Sequence, residues 1–206
     1  GVSADPMLLR RMLKMLAHSQ GGLLNASQFG NSLGVSYHTV QRYLDILEQS
    51  FLVRRLPPYF RNVGKRLTKS PKVYLRDTGL LHHLLNIGSK EELDNHPIRG
   101  VSWETFVIED LVRREKLRHP HSEFYFWRTA AGSELDLIVE RGANRFAVEV
   151  KAGRGGKAHL ARILEQAGAD VRANQVWILD QAKGTEPLRP KVERRGWPEN
   201  IDWLPE

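Results

Sequence analysis

The stretch from Ser133 to Lys151 constrains this chain most. Residues 134–140 and 145–151 are apolar, strand-prone runs joined across a Gly-Ala-Asn turn, a pattern that predicts a β-hairpin. Strand side chains alternate faces, so Phe146, Val148 and Val150 are expected on one side and Ala147, Glu149 and Lys151 on the other. By the same period Glu134, Asp136, Ile138 and Glu140 share a face, and Asp136 can lie opposite Glu149 if the register brings them together. Two carboxylates held side by side repel, and such a pair persists where a hard cation such as Mg²⁺ bridges it. Lys151 would then orient a water or help to deprotonate it. That chemistry is metal-dependent phosphodiester hydrolysis. The plain alternative is that these charges only solvate the outer face of a hairpin.

The N-terminal residues follow a different period. Asp5-Pro6 signals a helix start, followed by a stripe of Met7, Leu8, Met12, Leu13, Met15 and Leu16 that reads as core and stops at Gly21-Gly22. Asn25 or Ser27 caps a short helix ending near Leu33. After a tight Gly34-Val35-Ser36 turn, Ser36 caps another helix to about Gln49. Phe29, Leu33, Val35, Val40, Leu44 and Leu47 are spaced so that the two short helices cross over one core, a helix–turn–helix. Tyr37, His38, Gln41 and Arg42 then point outward, all able to bond bases or phosphates. Two strands, 51–56 and 72–75, flank a basic loop containing Lys65, Arg66 and Lys69. Three helices and such a ribbon make the winged-helix plan, in which the basic loop can touch phosphates. Asp77-Thr78 starts a further helix, whose His82 and His83 are read as surface residues. A polar segment, 89–100, marks the boundary between modules 1–100 and 101–206.

In the second module a helix from Ser102 carries Glu104 in its first turn, where the helix dipole favours a carboxylate. Strands at 124–128, 134–140 and 145–151, a helix from Lys157 to Gly168 and a strand at 175–180 follow. This order predicts an α/β sandwich, with the strand after the crossover helix free to run parallel to an earlier one. The charge- and Pro-rich tail from Gln181 reads as mostly loop, with a last short strand near Ile201, Trp203 and Leu204.

Composition narrows the function classes. The 206 residues contain no cysteine, which excludes disulfides, thiolate zinc sites and cysteine nucleophiles. The net charge of +7 favours a polyanionic partner. No apolar run approaches the roughly 20 residues of a membrane span, so a cytoplasmic protein with no membrane partner is expected. The first residue is Gly1, which suggests a processed product or an excised fragment.

Asp136, twelve intervening residues and then Glu149-Val150-Lys151, with a Glu104 helix before and another helix after, resembles the PD-(D/E)xK nuclease fold. Its pairing with a winged helix, together with the runs 74–81 (Tyr74 to Leu81) and 127–129 (Trp127 to Thr129), resembles the C-terminal region of uncharacterised prokaryotic AAA+-type ATPases. The likeness covers nearly the whole chain. It implies an N-terminal winged helix-turn-helix module plus a restriction-endonuclease-like α/β sandwich with a mixed sheet. It also implies that Asp136 and Glu149 hold Mg²⁺ or Mn²⁺, that Glu104 completes the shell through water, and that Lys151 activates the water. Gln166 would support the site. The proline that often precedes the first acidic residue is replaced by Leu135. An ATPase domain usually precedes this region, while this chain has no Gly-x-x-x-x-Gly-Lys-Ser/Thr loop and so is not the ATP-hydrolysing part. DNA, that ATPase domain and further copies of the chain are the expected partners. A second reading is a non-catalytic DNA-binding or protein-interaction regulatory domain. A third, a toxin–antitoxin or transcription regulator built on the helix–turn–helix alone, leaves the second half unexplained.

Overall fold

In the computed structural model, which describes residues 5–60, 69–153 and 157–198, the first helices begin where polar side chains cap them. Asp5 accepts from the Met7 amide at 2.8 Å and opens α1 (Pro6–His18). Asn25 accepts from Gln28 N at 3.1 Å to open α2 (Ala26–Leu33), and Ser36 from Thr39 N at 3.1 Å to open α3 (Tyr37–Gln49). Gly34, at φ 71°, supplies the left-handed turn between them. β1 (Val53–Leu56) and β2 (Lys72–Leu75) pair antiparallel, with Val53 opposite Leu75. Then come α4 (Thr78–Leu84) and α5 (Lys90–Asn95). Met12, Leu16, Phe29, Leu33, Val40, Leu44, Val53, Val73, Leu75 and Leu81 form one core, while Met7 stays exposed. The buried Gln20 amide serves this core as a short strand would: it accepts from Leu75 N at 2.8 Å and donates to Leu75 O at 3.0 Å.

The described residues fall into two units, Gly1–Leu56 with Ser70–Phe106 and Pro57–Lys69 with Val107–Glu206. The division thus lies at Phe106, inside α6 (Arg99–Arg118), and residues 57–60 join the second unit. Several local expectations change in the first unit. The polar segment 89–100 contains α5, capped by Ser89. Ser102 is not a cap, because α6 starts three residues earlier. Its buried hydroxyl instead meets His82 Nε2 at 2.7 Å, so His82 is a half-buried residue and only His83 is at the surface. Glu104 therefore lies outside the first turn.

The second unit is built on a six-stranded mixed sheet formed by β3 (Glu123–Arg128), β4 (Glu134–Arg141), β5 (Asn144–Val150), β6 (Gln175–Asp180), β7 (Thr185–Arg189) and β8 (Val192–Gly196), in the order β3-β4-β5-β6-β8-β7. β5 and β6 run parallel because α7 (Lys157–Asp170) carries the chain across between them. Ala161, Leu164 and Ala167 of α7 pack on Leu135, Ile138, Ala147, Val176 and Ile178. Residues 57–59 run along the outer edge of β3, where Tyr59 N donates to Phe126 O at 2.8 Å and Phe126 N to Pro57 O at 3.0 Å. At the opposite edge, β7 carries Pro187.

The tail read as loop holds β7 and β8. Their anchor is Arg194, almost fully buried, which donates to Asp180 Oδ1 at 3.0 Å and to the carbonyls of Ala182, Lys183 and Gly184. Ile201, Trp203 and Leu204 lie outside the described residues. Among the described residues no helix is long and apolar enough to cross a membrane.

Candidate functional site

The β4–β5 hairpin closes through a two-residue loop, with Gly142 at φ 57° and Arg141 paired to Asn144. That loop sets the register. Leu137 faces Val148 at the end of that ladder. Just beyond it, Asp136 and Glu149 lie near enough for the Asp136 charge to act on the Glu149 carboxyl. Asp136 Oδ2 accepts from the Val150 amide at 2.9 Å, and Lys151 Nζ reaches Glu149 Oε1 at 2.5 Å. The three residues sit at the C-terminal end of β5, beside the parallel β6, where α/β sheets commonly receive ligands.

The strict alternation expected for β4 fails. Between Tyr125 and Trp127 β3 advances two residues, while β4 advances three, from Ile138 to Leu135. β4 therefore carries a bulge at Asp136 and Leu137, and both Leu135 and Ile138 join the core under α7. Glu134 is thus shifted off the face it was expected to share with Ile138. The bulge re-aims Asp136.

Electrostatics single out Glu149. Asp136 and Glu149 are each only 6% exposed, and Glu149 Oε2 is buried without a hydrogen-bond partner. Burial, then the Asp136 charge and, more weakly, the Glu134 charge push the Glu149 carboxyl up to about 8, against the pull of Lys151. An orphaned carboxylate oxygen beside a second carboxylate is a donor set of hard oxygens, which fits a hard divalent cation.

Each of the other expected site residues has surroundings of its own. Glu104 belongs to the first unit, where it accepts from Tyr74 Oη at 2.7 Å and stands 3.4 Å from buried Lys72. Among the described residues no three His, Cys, Asp or Glu side chains form a group able to hold a metal. Gln166 is exposed on α7, donates to Asp170 at 3.3 Å and lines a groove with Trp127, Ser133 and Arg162. On α3, Tyr37, His38 and Arg42 are exposed, whereas Gln41 is half-buried and accepts from Arg55 at 3.4 Å. Arg55 also pairs with Asp45 and Glu48, binding that side of α3 to β1. Lys69 is exposed, and Lys65 and Arg66 lie outside the described residues. Arg128 belongs to the run 127–129 that carries the family resemblance, but it is not among the site residues expected from the sequence. Its signal was its place between Trp127 and Thr129, both buried.

Comparison with known proteins places two domains of unknown function along the chain. Residues 1–91 match the domain of unknown function DUF8612, and residues 99–189 the domain of unknown function DUF4143. Uncharacterised proteins of Mycobacterium bovis and Mycobacterium tuberculosis are each 38% identical over 192 residues, 93% of this chain. The chain spans only 42% of their length. An uncharacterised protein of Haemophilus influenzae is 32% identical over 115 residues, covering 53% of this chain and 27% of that relative.

Proposed function

We propose that the second unit is a PD-(D/E)xK nuclease-like module with a divalent-metal phosphodiesterase site, carried by a DNA-interacting protein associated with an AAA+-type ATPase. The buried, unpartnered Oε2 of Glu149, on a carboxyl that feels the Asp136 charge, carries this reading. Asp136 and Glu149 are the residues that would hold Mg²⁺ or Mn²⁺, which supplies positive charge to offset that developing on a phosphodiester. The chain's own groups do the rest. The Val150 amide fixes the Asp136 carboxylate, and burial of both carboxylates excludes bulk water. Lys151, with 43% of its side chain exposed and its Nζ on Glu149 Oε1, is placed to orient an attacking water. Because more than half of each mycobacterial relative lies outside the match, there is room in such proteins for an ATPase domain.

Mn²⁺-dependent cleavage of single-stranded, duplex and branched DNA tests the site. Asp136→Ala and Lys151→Ala should each lower the rate by a hundredfold or more, on the order expected when a transition-state contact is removed. Cleavage left intact in both variants would show that the site is wrongly assigned.

A second reading is favoured by the first unit. Crossed helices α2 and α3 followed by the β1–β2 ribbon support a winged helix, and Tyr37, His38 and Arg42 stand exposed on α3. In this reading the chain binds DNA through α3 without cutting it, and wild-type protein cleaves none of the three substrates.

A further inference from the structure

Arg128 lies on β3, the strand paired with the one that carries Asp136. It ends β3 directly opposite Glu134, two residues before Asp136 on β4. Its neighbours on both sides are fixed: Trp127 is buried in the core, and buried Thr129 closes the next turn, donating its amide to Ser133 O at 2.9 Å and accepting from Ser133 N at 3.1 Å. The backbone at Arg128 is therefore held, while 42% of its side chain remains exposed. Its Nη1 lies 3.7 Å from Glu134 Oε2, beyond hydrogen-bond length, so the carboxylate guides the guanidinium without occupying its donors. Glu134 is close enough to the site for its charge to act on Glu149. A guanidinium offers a planar fork that matches two oxygens of a phosphate, which the lone Lys151 ammonium does not.

We propose that Arg128 is the phosphate-contacting residue of the Asp136–Glu149 site, positioned by Glu134. The inference rests on the metal-site reading above. A phosphodiester drawn to the carboxylate pair by a cation presents two non-bridging oxygens. Arg128 takes one or both, fixing the scissile phosphate against the water held by Lys151. Glu134 keeps the guanidinium from folding away along the outer surface of β3.

The test uses the full chain and a fluorescein-labelled single-stranded oligonucleotide, with binding followed by anisotropy in Mn²⁺ and in EDTA. Arg128→Gln should weaken the Mn²⁺-dependent part of binding about tenfold to a hundredfold, the range for one charge-assisted hydrogen-bonding contact. Arg128→Lys should recover part of this loss, and Glu134→Gln should show a smaller one. Mn²⁺ affinity without DNA, measured by calorimetry, should stay within about twofold of wild type for Arg128→Gln, as expected of a residue that does not bind the ion. Wild-type oligonucleotide affinity in Arg128→Gln overturns the assignment, and so does a parallel loss of Mn²⁺ binding. If the wild type binds Mn²⁺ but gains no affinity for the oligonucleotide, Arg128 is refuted while the metal site stands. If the wild type binds no Mn²⁺, the metal reading fails and the Arg128 assignment with it.

Discussion

Replacing Glu149 with glutamine should make the metal-free protein more stable, and increasingly so as pH rises. The carboxyl ordinarily titrates near 4.5 and is raised to about 8 in the fold, by burial first and by Asp136 second. A group whose folded value is raised contributes fully below its unfolded value and loses that contribution as pH climbs to the folded one. Wild-type stability should therefore fall from this group between about pH 4.5 and pH 8. At about 1.4 kcal/mol per pH unit the loss is on the order of 5 kcal/mol by pH 9 and about 3 kcal/mol at pH 7. Glutamine has the same shape and no charge, so the variant escapes it. The assay is urea unfolding at pH 4.5, 7 and 9, followed by the fluorescence of Trp127 and Trp177, both buried in the same unit as Glu149. Millimolar Mn²⁺ should reverse the advantage, since it stabilises only the chain that binds it. A stability difference that does not change with pH would refute the electrostatic account of Glu149.

Two further predictions concern the rest of the chain. Arg194→Met should cost roughly 3–5 kcal/mol, because Asp180 would be left buried without its counter-ion and the Ala182 and Lys183 carbonyls without the guanidinium, while Gly184 O keeps the Gly196 amide; a loss under about 1 kcal/mol in urea unfolding would contradict that role. Tyr37→Ala combined with Arg42→Ala should weaken duplex DNA binding severalfold and flatten its salt dependence, with stability changed by less than about 0.5 kcal/mol, as expected of exposed side chains. Unchanged affinity in a salt titration would remove α3 from the DNA-binding surface.

What could be read in advance was mostly local. The caps Asp5, Asn25 and Ser36 bond amides two or three residues away, so α1 to α3 start where their sequences say. The nearness of Asp136 to Glu149 was equally accessible, because a two-residue loop leaves a hairpin little freedom of register. Tertiary partners hid the remainder. Ser102 looks like a helix cap until His82 claims its hydroxyl. β8 has the composition of a loop, and only burial of Arg194 against Asp180 makes a strand of it. The bulge at Asp136 leaves no mark on the hydrophobic pattern, since Leu135, Leu137 and Ile138 are all buried whichever way the count runs. Glu104 meets Tyr74 and Lys72, 30 and 32 residues away, contacts that its spacing in the sequence does not announce.

The treatment of the sheet edges bears on how copies of this protein meet. A row of unpaired strand amides invites another chain to add a strand, and many such additions lead to aggregates. Here Pro57 and Tyr59 take up hydrogen bonds along the β3 edge, and Pro187 interrupts the donors of β7. Growth by continuing the six-stranded sheet is obstructed at Phe126 on one edge and weakened by Pro187 on the other. Self-association is thereby steered toward side-chain surfaces, and β4 and β5, which carry Asp136 and Glu149, pair on both sides with strands of their own chain.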